Sequence, residues 1–257
     1  IKSKFLVKSK LNYAENLLAK KDDSKAVTFI SENGYREEKS WKELNNNSLK
    51  LVSFFKENKI KEKDRIAAYT ANQIETVESF IATSALGAIW SSCSPDFGTQ
   101  GVIERFSQIK PKVLIITDRY YYNGKEINIL ERLPTILKKI KSIKSVLIIS
   151  YPGKKNFKQK KIKGIKIFYY NKLKFKEENQ NIFKKFDFDK ELAILYSSGT
   201  TGKPKCICHR AGGVLLQHLK EHKLHCNVKP GDNVFYFTTC GWMMWNWLMT
   251  FLASKAS

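Results

Sequence analysis

The sequence predicts an α/β fold in which parallel sheets are flanked by helices. Segments with strand-like and helix-like patterns alternate from residue 64 to residue 150. The strand-like segments are apolar throughout, which is typical of strands buried on both faces. Strands and helices that alternate in this way form a parallel sheet with helices packed on each side.

Two elements precede this alternation. The runs "AVTFI" and "YREEKSW" flank Asn33-Gly34, a dipeptide typical of tight hairpin turns. Ser40 precedes a run in which apolar residues recur at helical spacing, and Glu43 follows Ser40 by three residues. This spacing predicts a helix whose N-terminus is closed by a capping box.

The alternation itself predicts four strands and three helices. Gly87 ends the first helix, Pro111 stops the second, and Pro134 is expected to kink the third. In chain order the segments are "DRIAAYT", "QIETVESFIATSALG", "AIWSSCS", "QGVIERFSQI", "KVLIITD", "INILERLPTILKKI" and "SVLIIS".

The chain is strongly basic, with a formal net charge of +22 at pH 7. The Lys-rich block from Lys154 to Lys176 is expected to be an exposed excursion with one strand, "IKIFYY", before "ELAILYSS" returns to the core. Only six of the 46 basic residues are Arg, the residue that nucleic-acid readers favour for bidentate contacts. A solvated lysine face is therefore favoured over a specific nucleic-acid site, and a basic polyanion-binding fragment stays open as an alternative.

The cysteines and the apolar runs bear on cellular location. Five cysteines without framework spacing indicate free thiols and a reducing, cytoplasmic compartment. No apolar run approaches the roughly 20 residues that a membrane span needs.

The first residue is Ile and the final "FLASKAS" carries no stop signal, so we expect the chain to be part of a longer protein. The sequence predicts no oligomeric state.

The segment "YSSGTTGKPK", Tyr196 to Lys205, directly follows the strand-like run "LAIL". Its backbone therefore emerges at a sheet end, where α/β proteins tend to bind ligands. Two glycines let successive N–H groups turn toward one point, and hydroxyl and ammonium groups add further donors. These features suit a polyphosphate bound by Ser197, Ser198, Gly199, Thr200, Thr201, Gly202, Lys203 and Lys205.

Two common phosphate motifs do not fit this segment. A Walker A loop has four residues between its glycines and Ser or Thr after its Lys, whereas here two residues separate the glycines and Pro204 follows Lys203. The pattern Gly-x-Gly-x-x-Gly is also absent. On composition alone an ordinary polar turn stays open, because Gly, Ser and Thr are common in turns.

The order of the residues resembles the phosphate loop of the adenylate-forming superfamily, which includes acyl-CoA synthetases, luciferases and peptide-synthetase adenylation domains. In that superfamily the loop embraces the β and γ phosphates of ATP while a substrate carboxylate attacks the α phosphate. The residues that match the loop are Ser198, Gly199, Thr200, Thr201, Gly202 and Lys205.

The resemblance extends along the chain and narrows to the acetoacetyl-CoA synthetase family. It implies a ligase that activates acetoacetate with ATP and Mg²⁺ as an acyl-adenylate and transfers the acyl group to CoA. Acetyl- and propionyl-CoA synthetases, which differ at "WSSCSPDFG" and "GWMMWNW", are the alternative among enzymes. The matching segments are "LNYAENLL", "GAIWSSCSPDFG", "RFSQIKPKVLI", "AGGVLLQHL" and "FTTCGWMMWNW".

The same resemblance implies two further sites. Trp242, Met243 and Met244 fall where relatives line the acyl pocket, and such bulky side chains suit a short acyl group. Lys125 is a candidate contact to a phosphate of CoA. The alternatives are a packed core for the Trp and Met cluster and a plain surface role for Lys125. The CoA channel is expected to be bordered by Ser94, Pro95, Asp96 and Phe97.

The segment "HLKEH", His218 to His222, matches the metal-helix pattern His-x-x-Glu-His. Packing already explains this helix, and the superfamily carries no zinc at this place, so we predict no metal ligand. Further ligands for a zinc alternative would be Cys206, Cys208, His225 and Cys226.

The resemblance implies that the chain is a truncated N-terminal nucleotide-binding domain. Residues 1–24 would be a lead segment, 25–187 a first α/β portion, and 188–257 the portion with the phosphate loop and acyl pocket. The family's Glu that holds Mg²⁺, its ribose-binding Asp and its C-terminal domain with the adenylation Lys are expected beyond Ser257. We therefore expect this chain alone to be inactive.

Overall fold

A computed structural model describes residues 6–152, 161–174, 182–197, 202 and 204–257. No helix in these ranges has the length and apolarity that a bilayer crossing demands. The strands β1 to β13 are, in chain order, Lys10–Leu11, Lys25–Ile30, Arg36–Ser40, Arg65–Tyr69, Ile89–Cys93, Val113–Thr117, Arg119–Tyr122, Lys125–Asn128, Ser145–Ile149, Lys166–Tyr169, Phe186–Asp187, Glu191–Ser197 and Lys205–Arg210. The helices α1 to α7 are Tyr13–Leu17, Trp41–Glu57, Ile74–Ala85, Thr99–Ile109, Leu133–Lys139, Ala211–Lys220 and Met243–Met249.

Seven strands form one central sheet, in the order β10-β9-β6-β4-β5-β12-β13. Neighbouring strands are parallel except β12 and β13, which form an antiparallel pair at one edge. Three further strand pairs lie outside this sheet: β1 with β11, β2 with β3, and β7 with β8. Their strands are two to six residues long. The predicted α/β fold is confirmed.

Helices cover both faces of the central sheet. In β4, Ile66 and Ala68 belong to a core that includes residues of α2 and α3. Ala67 and Tyr69, on the opposite face, belong to a second core that includes residues of α4 and α5. Because successive residues of a strand point to opposite faces, a strand between two cores needs apolar side chains at every position.

The first two local predictions are confirmed. β2 and β3 form an antiparallel hairpin across Asn33-Gly34, and Gly34 has a φ of +83°. The Glu43 backbone N–H donates to Ser40 Oγ at 3.2 Å, and the Ser40 N–H donates to the Glu43 carboxylate at 2.8 Å. These reciprocal bonds form the predicted capping box of α2.

The prediction of one kinked helix over "INILERLPTILKKI" is wrong. Its first residues end β8, which pairs with β7 across the turn Asn123-Gly124. A 3-10 turn, Leu130–Arg132, separates β8 from α5. Pro134 lies in the first turn of α5, where the N–H that proline lacks would have no intrahelical acceptor, so it starts the helix and does not kink it.

Helix α6 approaches the residues before β12 at very short range. A Cβ atom at Gly212 would lie 2.3 Å from Cδ2 of Phe188, whereas one at Gly213 would meet no atom within 4 Å. The Gly212 N–H donates to the Phe188 carbonyl at 2.9 Å. Gly212 therefore allows a contact that fixes the start of α6.

The segment "HLKEH" extends α6 into one turn of π-helix, Glu221–His225. The His222 ring is fully buried and stacks on Phe251 with 3.5 Å between centroids, and Trp247 packs edge-on at 4.9 Å. Burial lowers the pKa of His222 to about 4. Among the residues that the structure describes, no three or more His, Cys, Asp or Glu side chains are grouped to hold a metal ion.

Replacing Gly212 by Ala is expected to lower the free energy of unfolding by about 1–3 kcal/mol, because the new methyl group overlaps the Phe188 ring. Urea unfolding at equilibrium measures the change. Gly213→Ala is the matched control on the same helix, and it is expected to leave stability unchanged or raise it, since Ala favours helices. Equal stability of the two variants would contradict the close contact at Gly212.

The low pKa of His222 predicts a loss of stability in acid. Its contribution is complete above pH 6.5, because both the folded and the unfolded chain are then neutral at this residue. It is lost as the pH falls from 6.5 to about 4, because only the unfolded chain takes up the proton in this range. His222→Phe keeps the ring stack and removes the titration. Its free energy of unfolding is therefore expected to fall less than that of wild type, by up to about 3 kcal/mol.

Urea unfolding at pH 7.0, 5.5 and 4.5 measures this difference. Other buried groups titrate in the same range, so we compare the difference in free energy of unfolding between wild type and variant at each pH. His225→Gln changes an exposed histidine of the same turn, and its free energy of unfolding is expected to depend on pH as that of wild type does. Parallel pH curves for wild type and His222→Phe would show that the buried ring has an ordinary pKa.

Candidate functional site

Two neighbouring parallel strands bring the predicted site segments to one edge of the sheet. β5 pairs in parallel with β12, with Trp90 opposite Ala193. The segment Ser94 to Phe97 follows β5, and the predicted phosphate segment begins at the end of β12. Both therefore emerge at the carboxyl edge, where open α/β sheets bind their ligands.

The predicted phosphate segment connects the two strands of the edge hairpin. Ser197 lies opposite Lys205 in the antiparallel pair β12 and β13. Ser197 is half-buried, whereas Gly202 and Lys205 are exposed. Gly202 has a φ of +97° and open space where a Cβ atom would lie, which lets a ligand approach its backbone. The other predicted residues lie outside the described residues: Ser198, Gly199, Thr200, Thr201 and Lys203.

Side chains of β5 and α4 hold the chain on both sides of this segment. Ser91 Oγ donates to the Ile194 carbonyl at 2.8 Å and lies 3.0 Å from the Tyr196 hydroxyl. Burial raises the pKa of Tyr196, so its hydroxyl keeps the hydrogen that it can donate to Ser91. On the other side, Gln108 Nε2 donates to the Pro204 carbonyl at 2.9 Å.

Arg105 of α4 joins the ends of the two strands. The central carbon of its guanidinium lies 4.4 Å from the centre of the Phe97 ring and 5.7 Å from that of Tyr196. Nη1 of Arg105 also donates to the Gly101 carbonyl at 3.0 Å. The cation therefore lies against an aromatic ring from each side of the candidate site.

Two distant side chains hold the predicted CoA-channel segment. Nη1 of Arg132 donates to the carbonyls of Pro95 and Phe97, both at 3.0 Å. The Tyr69 hydroxyl lies 2.6 Å from the Phe97 carbonyl and is contacted by Arg132. Ser94 and Pro95 are buried, while Asp96 is exposed. The sequence alone does not predict the contacts of Tyr69 and Arg132. These residues are separated from Pro95 by 26 and 37 positions, and no local pattern links residues so far apart.

Lys125 lies on the hairpin of β7 and β8. It is exposed on β8, where it pairs with Tyr122 of β7. In the described part of the chain, no hydrogen bond or ion pair joins Lys125 to residues 94–97. Lys125 and residues 94–97 thus belong to different elements, and a contact between Lys125 and a phosphate of CoA stays a prediction.

The turn before the predicted acyl pocket packs directly on the channel segment. A Cβ atom at Gly241 would lie 2.9 Å from Phe97 Cε2 and 3.2 Å from the Ser94 nitrogen. Ser92 Oγ donates to the Cys240 carbonyl at 2.6 Å. Only glycine fits this approach without a shift of its neighbours, which explains the glycine within a run of Trp and Met.

Met243 and Met244 line an open cavity of about 450 Å³. Its other walls are the end of β13 and one side of α6, and they include His218 and Glu221. Trp242 is 63% exposed and is not among the lining residues, so only the two methionines of the predicted acyl pocket share this cavity. The cavity combines soft apolar side chains with polar groups, as small-molecule sites do.

A second cleft, of about 380 Å³, lies near the start of β12 and is rich in charge. Lys190 Nζ lies 3.7 Å from the Glu62 carboxylate and 3.4 Å from that of Glu191. The Arg210 guanidinium donates to the Asp189 carbonyl at 2.6 Å. Carboxylates lie among the cations of this cleft, so part of its positive charge is already paired within the protein.

Comparisons with known proteins agree with this arrangement. The chain is 42% identical over 255 residues to acetoacetyl-coenzyme A synthetase of Rhizobium meliloti and 37% identical over 259 residues to malonamoyl-CoA synthetase of Penicillium aethiopicum. The structure superposes on that of acetoacetyl-CoA synthetase from Streptomyces lividans with a TM-score of 0.87 and 33% identity. These matches cover 99%, 97% and 96% of this chain.

The matched region is only part of each relative. The chain spans 39%, 36% and 38% of these three proteins, somewhat less than two fifths. The family model described as AMP-binding enzyme matches residues 15–256. That match includes both strand ends and the cavity, and it shows that the chain belongs to the AMP-binding enzyme family.

Proposed function

We propose that the chain provides the ATP-binding and acid-binding part of a ligase that couples a short 3-oxo acid to CoA. The observation that carries the proposal is the edge hairpin of β12 and β13: the predicted phosphate segment connects its two strands, and the end of β13 forms a wall of the cavity lined by Met243 and Met244. Acetoacetyl and malonamoyl groups, named in the relatives, both carry a carbonyl at C3. Acetoacetate is therefore the proposed acid.

The reaction has two steps. The carboxylate of the acid attacks the α phosphate of ATP, which gives an acyl-adenylate and releases pyrophosphate. The thiol of CoA then attacks the acyl carbon, which gives the thioester and releases AMP. Neither step needs a nucleophilic side chain, so the protein contributes position and neutralisation of charge.

The residues of the hairpin suit the triphosphate. Gly202 offers backbone that a ligand can approach, and Lys205 offers an exposed ammonium group. The hydroxyls of Ser197, Thr200 and Thr201 would add donors, and each bond to a charged oxygen is worth about 1.5–3 kcal/mol. Mg²⁺ would enter with ATP, bound to its phosphate oxygens, since magnesium commonly takes few ligands from protein.

The remaining assignments are part of the same proposal. Ser94, Pro95, Asp96 and Phe97 would border the channel for CoA, and Lys125 would contact one of its phosphates. The partners would be the small molecules acetoacetate, ATP and CoA. We place the protein in the cytoplasm because all five cysteines are free thiols, which suits a reducing compartment.

A chimera tests the proposal on a complete protein. This chain replaces the matching 255-residue segment of the Rhizobium meliloti relative, and acetoacetate-dependent exchange of pyrophosphate into ATP is measured. We expect exchange with acetoacetate that exceeds exchange with acetate or propionate. Thr200→Val combined with Thr201→Val is expected to lower the rate at least tenfold, since it removes two donors to phosphate.

Thr28→Val, at an exposed position of β2, is the matched control and is expected to keep the rate. The unaltered relative shows that the assay works. A chimera that exchanges nothing, while the chain binds DNA in a salt-sensitive way that survives the double substitution, would favour the polyanion-binding alternative. Higher exchange with acetate or propionate would assign the chain to another short-chain synthetase.

Met244 is expected to limit the length of the acid. Met244→Ala enlarges the cavity, and 3-oxohexanoate has two more methylenes than acetoacetate. Burial of each methylene is worth about 0.8 kcal/mol, so the ratio of kcat/KM for the longer over the shorter acid should rise about tenfold in the chimera. Leu216→Ala is the control, because Leu216 lies on α6 and is 59% exposed. An unchanged ratio in Met244→Ala would remove this residue from the acyl pocket.

A further inference from the structure

His218 is a buried polar side chain in the wall of the cavity that Met243 and Met244 line. It lies on α6 and is only 5% exposed. The residue is therefore almost fully enclosed by protein and meets the cavity with a small part of its surface. A buried imidazole in such a wall is well placed to bond one atom of a small ligand.

The other side of the ring is fixed by a buried relay of hydroxyls. Nδ1 of His218 lies 2.8 Å from Thr250 Oγ, and the Tyr13 hydroxyl lies 2.6 Å from the same oxygen. Thr250 Oγ also lies 2.8 Å from the Asn246 carbonyl. Tyr13 and Thr250 are buried, and burial raises the pKa of Tyr13, so its hydroxyl keeps its hydrogen.

The remaining ring nitrogen is unused. Within the described chain, Nε2 of His218 makes no hydrogen bond. Burial and the neighbouring His222 lower the pKa of His218 to about 4, so the ring is neutral near pH 7 and carries one N–H. The nitrogen that carries this hydrogen depends on the direction of the bond to Thr250.

Two arrangements of hydrogens satisfy the relay. If Thr250 donates to Asn246, then Nδ1 carries the hydrogen and Nε2 is an acceptor. If Thr250 donates to Nδ1, then Nε2 carries the hydrogen and is a donor. The Asn246 carbonyl still accepts a hydrogen bond from the backbone N–H of Thr250. A ligand with a carbonyl oxygen at Nε2 selects the second arrangement.

Glu221, a second polar group of the wall, already has partners. Its carboxylate accepts from Gln217 Nε2 at 2.6 Å and from the Trp247 ring N–H at 2.7 Å. These bonds hold the carboxylate on the side of the π-turn, and they lower the pKa of Glu221 together with nearby positive charge. Glu221 therefore stays an anion that is engaged, whereas His218 offers an open hydrogen-bond position.

We propose that His218 determines the preference for 3-oxo acids, by donating a hydrogen bond from Nε2 to the carbonyl oxygen at C3. The choice of ligand rests on the proposed function. The two methionines would then contact the apolar end of the acid, and Thr250, donating to Nδ1, would keep the hydrogen of the bound imidazole on Nε2. Butyrate, which has the same carbon chain and no C3 oxygen, leaves this donor without a partner.

Two substitutions separate the two nitrogens of His218. His218→Asn places its amide where Nδ1 was, so it keeps a partner for Thr250 and has nothing at Nε2. His218→Gln is longer and places its amide near the position of Nε2. The chain, labelled with ¹⁵N-histidine, is titrated with acetoacetate and with butyrate and followed by NMR, and thermal unfolding checks that each variant folds.

We expect wild type and His218→Gln to bind acetoacetate about tenfold more tightly than butyrate, and His218→Asn to bind the two acids equally. Acetoacetate, and not butyrate, should shift the Nε2 resonance of His218. The exposed His225→Gln is expected to behave as wild type. Equal binding of the two acids by wild type, or binding of neither, would overturn the assignment of His218, as would a preference that persists in His218→Asn.

The chimera distinguishes this inference from the proposed function. If the chain prefers acetoacetate through His218 and the chimera shows no exchange, the proposed function fails and the role of His218 stands. If the chimera exchanges with acetoacetate and His218→Asn keeps the ratio of kcat/KM for acetoacetate over butyrate, the role of His218 fails and the proposed function stands.

Discussion

The parallel pairing of β12 with β5 is the constraint on which the rest of the candidate site depends. It places Trp90 opposite Ala193 and brings the ends of both strands to the same edge. Trp90 also stacks on Trp245 of α7, with 6.1 Å between the ring centroids. β5 thus pairs on one side with the strand that ends at the predicted phosphate segment, and it packs on the other against α7, which begins with the two methionines.

A continuous set of short contacts connects these two sides. Tyr196 lies against Arg105, Arg105 lies over Phe97, and Phe97 leaves room only for glycine at position 241. Arg132 holds the intervening backbone through two carbonyls. A nucleotide at the hairpin and an acid in the cavity would therefore share one rigid support, which favours the alignment that attack of a carboxylate on a phosphate requires.

Local signals predicted much of the fold, and contacts distant in sequence explain what they missed. Asn33-Gly34 and the pair Ser40 and Glu43 act within a few residues, so the first hairpin and the cap of α2 could be predicted. Residues 127–128 belong to a strand and not to the predicted helix, because a short apolar run suits either element and the turn at Asn123-Gly124 decides for the strand. The role proposed for His218 could not be predicted, since it depends on Thr250, 32 residues away, and through it on Tyr13, 237 residues from Thr250.

Amide hydrogen exchange of the chain with and without ATP tests the central claim most directly, because it reports where the nucleotide binds. We expect ATP to slow exchange in peptides that cover Ser197 to Cys206 and in those that cover Ser94 to Gly98, since both segments lie at the edge formed by β5 and β12. Slower exchange confined to the charged cleft around Lys190, or no change in either segment, would contradict a nucleotide site at that edge.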